Sequence, residues 1–135
     1  DKAESEGLTP EEQAFLDNAH REYDHKLDCI DRMRALGVSL VAGSDTAWGI
    51  QKMGAFQDEV TAHVEAGLSP MEAIVAATGD SARSCWIEDS VGTLEPGKQA
   101  DVLVVDGDPS QDIETLWNVV DVFQDGTRVD RTNYV

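Results

Sequence analysis

The run Gly37-Val38-Ser39-Leu40-Val41-Ala42-Gly43-Ser44-Asp45-Thr46 sets a short apolar stretch directly before a small-residue turn that carries one carboxylate. Buried strands read as continuous apolar runs, and parallel ones need helices on both faces. Helical patterning precedes this stretch and follows it. The spacing therefore predicts a strand over Val38–Ala42 inside an α/β layer structure. Catalytic groups in such folds sit at the carboxyl ends of strands, where Asp45 would stand. Gly43 and Ser44 let the backbone turn tightly and leave the carboxylate facing whatever sits above the strand. An aspartate there can bind a divalent metal, orient a hydrolytic water and take up its proton. It can equally be a loop or cap residue that bonds nearby N–H groups.

The helical signals are explicit. Thr9-Pro10-Glu11-Glu12 supplies an N-cap, a proline at the first helical position and a capping-box glutamate. Apolar residues then recur at Phe15, Leu16, Ala19, Tyr23, Leu27, Ile30, Met33 and Leu36, in steps of three and four. That pattern predicts an amphipathic helix, in one piece or two, with its stripe against a core, ended by Gly37. A second helix is expected over Ala55–Ala66, stopping at Gly67. Ser69-Pro70-Met71-Glu72 repeats the start signal, and the alanine-rich stretch to Ala77 favours helix. A further short helix is expected around Asp80–Trp86. The pattern then changes. Ala100–Asp106 reads as a strand and Asp112–Trp117 as a helical turn. Val119–Gln124 and Thr127–Val129 flank Asp125-Gly126, a type I′ hairpin signal.

With 135 residues and a 41% hydrophobic composition the chain suits one modest globular core. Its formal net charge of −17, spread along the chain, argues against nucleic acid and anionic membranes as partners. It fits either a protein adapted to high salt or a merely acidic one. No apolar run approaches the roughly 18–20 residues of a transmembrane helix. The two cysteines, Cys29 and Cys85, form no C-x-x-C motif and are read as free thiols without a histidine at metal-ligand spacing, which suits the cytoplasm. His20 and His25 are five residues apart, on different helix faces, and His63 falls inside a helix. All three are expected to be surface or hydrogen-bonded histidines. Gly92 to Lys98 mimics the spacing of a phosphate-binding loop. However, Gln99 replaces the required hydroxyl, Glu95 would repel phosphate and a strand follows, so a tight turn is expected. Trp48, three residues beyond Asp45, is a candidate wall of a substrate pocket.

From Gly37 to Val129 the chain resembles the C-terminal portion of the amidohydrolase superfamily, in its imidazolonepropionase-like and Xaa-Pro dipeptidase-like branch. The resemblance rests on the ordered series Gly37–Asp45, Glu65–Ile74, Ala76-Ala77-Thr78, Gly92–Val105 and Val122–Gly126. It implies that residues 1–88 are the C-terminal part of a (β/α)8 TIM-like barrel and that 89–135 are strands of a small composite β-sandwich. It implies a metal-dependent hydrolase acting on carbon–nitrogen bonds of an amide, cyclic amide or dipeptide, with zinc as the usual metal. Asp45 then occupies the position of the aspartate that binds metal and shuttles a proton. Gly97, Lys98, Ala100 and Asp101 would shape a turn remote from chemistry. The superfamily's His-x-His, its bridging lysine or glutamate and its later metal histidines have no counterpart here. The resemblance thus makes the chain a portion of an enzyme, inactive alone. Ser84-Cys85 also departs from the superfamily pattern of an apolar residue and glycine. The rival expectation is a non-catalytic α/β module for partner binding or homo-oligomer assembly, because bare barrel edges invite pairing.

Overall fold

The computed structural model describes residues 7–46 and 54–132. It divides into two compact units, Asp1–Val38 and Ser39–Val135. Among the described residues of the first unit there is one helix, α1 (Pro10–Ala35), started as its sequence dictates. The Glu12 N–H donates to Thr9 Oγ1 at 3.2 Å, and the Thr9 N–H donates back to the Glu12 carboxylate at 2.9 Å. Its end is a Schellman motif: the Gly37 N–H donates to the Arg34 carbonyl and the Val38 N–H to the Met33 carbonyl. No residue of α1 is buried, so the expected burial of its apolar stripe is not met within these residues.

In the second unit, α2 (Phe56–Glu65) ends at Ala66, and a second Schellman motif at Gly67 turns the chain toward α3 (Pro70–Val75). Ser69 and Glu72 form the second capping box foreseen from sequence. The helix then widens into a π-turn (Ala76–Asp80) before α4 (Ser81–Ser84). No sequence signal had suggested that widening. β1 (Val102–Val105), a 3-10 helix (Ile113–Trp117), β2 (Val119–Gln124) and β3 (Thr127–Arg128) follow. The three strands form one antiparallel sheet in the order β1-β2-β3, with a bulge between Val104 and Val105. Asp125 and Gly126 both have positive φ, 49° and 74°, as a type I′ turn demands. Asp101 supports this turn, its Oδ1 accepting the Asp125 N–H at 2.7 Å, while the Ala100 carbonyl accepts the Gly126 N–H.

The core of this unit is small: Val60, Leu68, Ala73, Ala76 and Ile113, with Leu40, Val64, Ile74, Ala77 and Leu116 packed around it. Alanines at 73 and 76 let α3 lie close to its neighbours. Ile113 and Leu116 come from the 3-10 helix, so residues on both sides of position 88 share one cluster. A Thr61 Oγ1 to Glu114 Oε1 hydrogen bond of 3.3 Å joins α2 to the same turn.

The expected strand at Val38–Ala42 is a correction. It pairs with no strand among the described residues. A strand exists by virtue of the ladder it joins, and here the Ala42 N–H donates at 3.4 Å to the carbonyl of Ala76 in the π-turn.

Candidate functional site

Three anchors fix the segment that leads to Asp45. Leu40 packs against the core cluster. The Ala42 N–H reaches the Ala76 carbonyl at 3.4 Å, and the Gly43 N–H reaches Glu59 Oε1 on α2 at 3.4 Å. Leu40, Ala42 and Gly43 are thus held while the chain runs out to the turn. Asp45 follows with φ 47° and an exposed side chain. Aspartate is among the few side chains that adopt this left-handed conformation readily. The result is an exposed carboxylate at the end of an anchored segment.

A single carboxylate is one oxygen ligand and one proton acceptor. Among the described residues no group of three or more His, Cys, Asp or Glu side chains stands together to hold a metal ion. One carboxylate has the chemistry of one metal ligand, and the described residues supply no complete cage. Trp48 lies outside the described residues.

The other singled-out residues take different places. His63 Nδ1 lies 2.9 Å from the Glu59 carbonyl. A carbonyl only accepts, so Nδ1 carries the hydrogen, and His63 is the half-buried, hydrogen-bonded histidine expected. His20 is exposed on α1. Lys98 Nζ donates to Thr93 Oγ1 at 2.5 Å and stands 3.5 Å from Glu95 Oε1. The Thr93 hydroxyl, and then the Lys98 charge, hold the Glu95 carboxyl below its ordinary range. This lysine braces a turn, as expected, and presents no phosphate cradle.

Cys29 departs from expectation. Its Sγ is 3.2 Å from His25 Nδ1, so a histidine does stand at ligand spacing from this thiol. The signal was His-x-x-x-Cys: four residues is one helical turn, and side chains at i and i+4 share a face. Reading His25 only against His20 hid it.

The pattern of the amidohydrolase family matches residues 17–129, a span that includes the whole anchored segment and Asp45. The chain belongs to the amidohydrolase family. Among its relatives, "Adenine deaminase 2" of Jannaschia sp. (strain CCS1) is 40% identical over 77 residues, 56% of this chain and 12% of the relative. "Imidazolonepropionase" of Pyrobaculum arsenaticum is 36% identical over 80 residues, 57% of this chain and 19% of the relative. A crystal structure of a Xaa-Pro dipeptidase with bound methionine in its active site shares 38% identity and superposes with a TM-score of 0.70. That superposition covers 77% of this chain and 25% of the dipeptidase. The chain thus spans between about an eighth and a quarter of these amidohydrolase-family relatives. Among the described residues no helix is long and apolar enough to cross a membrane.

Proposed function

We propose that this chain is the C-terminal portion of a metal-dependent amidohydrolase that cleaves a carbon–nitrogen bond in a small molecule, and that Asp45 is its catalytic carboxylate. One observation carries the reading. Within a family match that spans residues 17–129, the one singled-out carboxylate is exposed on a left-handed turn, and the segment before it is tied down at Leu40, Ala42 and Gly43. Relatives named as a deaminase, an imidazolonepropionase and a dipeptidase support a hydrolytic role over the assembly-module alternative.

Asp45 would supply one oxygen ligand to a divalent metal, zinc being the family's usual choice, and the remaining ligands are assigned to the part of the family's length that these residues do not span. The bound metal would contribute Lewis-acid polarisation of the scissile group. The chain's own residues do the rest. A carboxylate oxygen of Asp45 takes a proton from the attacking water and passes it to the leaving nitrogen, as the new carbon–oxygen bond forms and the carbon–nitrogen bond breaks. Glu59 is a positioning residue, holding the Gly43 amide. Trp48 is proposed to line the substrate pocket.

The test is Asp45→Asn in the intact protein that carries these residues, assayed on Xaa-Pro dipeptides, a cyclic amide and adenine. Asparagine tolerates the same left-handed backbone, so the fold is retained while the proton acceptor is removed. The expected loss is at least ~10²-fold in rate. Near-normal turnover by this variant would sink the assignment.

A further inference from the structure

We infer that His25 and Cys29 form a bidentate nitrogen–sulfur site for a thiophilic divalent metal ion of the zinc type, on α1 and in a different unit from Asp45. The two side chains rise from one helix face a single turn apart, and Nδ1 and Sγ already stand 3.2 Å from each other. Their donor atoms are therefore close enough to bind one ion together. A tetrahedral zinc ion, with bonds of about 2.0–2.1 Å to nitrogen and 2.3 Å to sulfur, asks for a nitrogen–sulfur separation of about 3.5 Å. Opening the pair by a few tenths of an ångström needs only small side-chain rotations on an unbroken helix. A metal ion there would replace the hydrogen bond that now joins the pair.

Access and charge both suit a cation. His25 is exposed and Cys29 is half-buried, so solvent reaches the imidazole edge while the sulfur is backed by the helix. Asp24 and Asp28 flank the two ligands in sequence, with Asp28 paired to Arg32 at 3.9 Å and with Arg21 and Lys26 on the same helix, within a chain of net charge −17. That field concentrates cations of any kind. Selection comes from the donors: imidazole and thiolate favour zinc, cobalt and related ions over calcium or magnesium, which want oxygen. Two protein donors leave two positions of a tetrahedron open to water or to a donor from another molecule. Loading balances simply. Cys29 Sγ–H gives up one proton to solvent, neutral His25 keeps its other ring hydrogen, and no electron moves. Binding therefore tightens as pH rises.

The experiment is a cobalt(II) titration of the reduced 135-residue chain, followed by the thiolate-to-cobalt charge-transfer band and then by displacement with zinc. One cobalt per chain is expected, with the band abolished in Cys29→Ser. In His25→Ala the apparent affinity should fall at least about tenfold, no less than the usual cost of losing a mere supporting group around a metal. Cys85→Ser and Asp45→Asn should leave the band intact, which separates this site from the proposed catalytic one. Circular dichroism checks that α1 persists in each variant. A second readout needs no variant: zinc should slow iodoacetamide alkylation of Cys29 and leave Cys85 unprotected. A band that survives Cys29→Ser, an unchanged affinity in His25→Ala, or alkylation of Cys29 at the same rate with and without zinc would each overturn the inference.

Discussion

The Gly43 N–H donates to Glu59 Oε1 across 3.4 Å, so a carboxylate on α2 holds the backbone two residues before Asp45. The contact is long and solvated, which limits its worth. Hydrogen bonds to charged groups contribute about 1.5–3 kcal/mol when well buried, and about 1 kcal/mol is reasonable here. Glu59→Ala should therefore speed hydrogen exchange at the Gly43 amide roughly fivefold and leave the α2 amides unchanged. Equal protection in both proteins would show that Leu40 and the Ala42 bond hold the segment without Glu59.

Trp86 stands where two other helix ends place glycine. Among the described residues three helices close with the same paired bonds, at Gly37, Gly67 and Trp86. At the third, the Trp86 N–H donates to the Arg83 carbonyl and the Ile87 N–H to that of Ala82. Trp86 has φ 61° and an 89% exposed side chain, so it carries the left-handed penalty with almost no burial in return. Trp86→Gly should remove about 1 kcal/mol of strain and raise the melting temperature by several degrees. An unchanged or lower melting temperature would mean that the indole contributes contacts that offset its backbone.

The same helix end shows what the sequence could and could not disclose. Local chemistry was legible: Thr9 with Glu12, Ser69 with Glu72, and Asp125 with Gly126 each specify their turn or cap within four residues. So was the turn that carries Asp45, which Gly43-Ser44 marks. Features that depend on distant partners were not. The apolar run 38–42 reads as a strand, yet its Ala42 amide bonds a helix carbonyl, and ladder partners are never written in the run itself. The π-turn at Ala76–Asp80 leaves no local signature either. Ser81 Oγ and the Ala42 amide both meet the Ala76 carbonyl there, five and thirty-four residues away. Trp86 in a glycine conformation is dictated by the turn that must follow α4, against its own preference.

Gly92 and Gly97 share nearly the same backbone and predict different costs. Both have strongly positive φ, 91° and 95°. A Cβ at Gly92 would lie 2.5 Å from Ala82 Cβ and 3.1 Å from the Thr78 carbonyl oxygen, whereas one at Gly97 meets nothing within 4 Å. Gly97→Ala should cost only the conformational penalty, about 1 kcal/mol. Gly92→Ala should cost that plus displacement of α4 from the connector, about 2–4 kcal/mol in all. Chemical denaturation of the two variants checks the order. Equal losses would show that the Ala82 contact relaxes freely.

Glu12 predicts how α1 responds to acid. Hydrogen bonds from the Thr9 backbone and hydroxyl hold its carboxyl below the ordinary 4.5. A carboxylate depressed on folding stabilises the folded form above its unfolded value, and that stabilisation is lost as pH falls through the lower folded value. The capping box should thus stay whole at and above pH 4.5 and open only on the acid side of it. The Thr9 amide, which donates to Glu12 Oε2 at 2.9 Å, reports this directly. Its proton chemical shift should titrate with a midpoint below 4.5, and Glu12→Gln should abolish the titration while leaving the helix start in place, because an amide oxygen accepts the same bond. A midpoint at or above 4.5 would place the Glu12 carboxylate in solvent and away from Thr9, and α1 would then begin on Pro10 and the Thr9 hydroxyl alone.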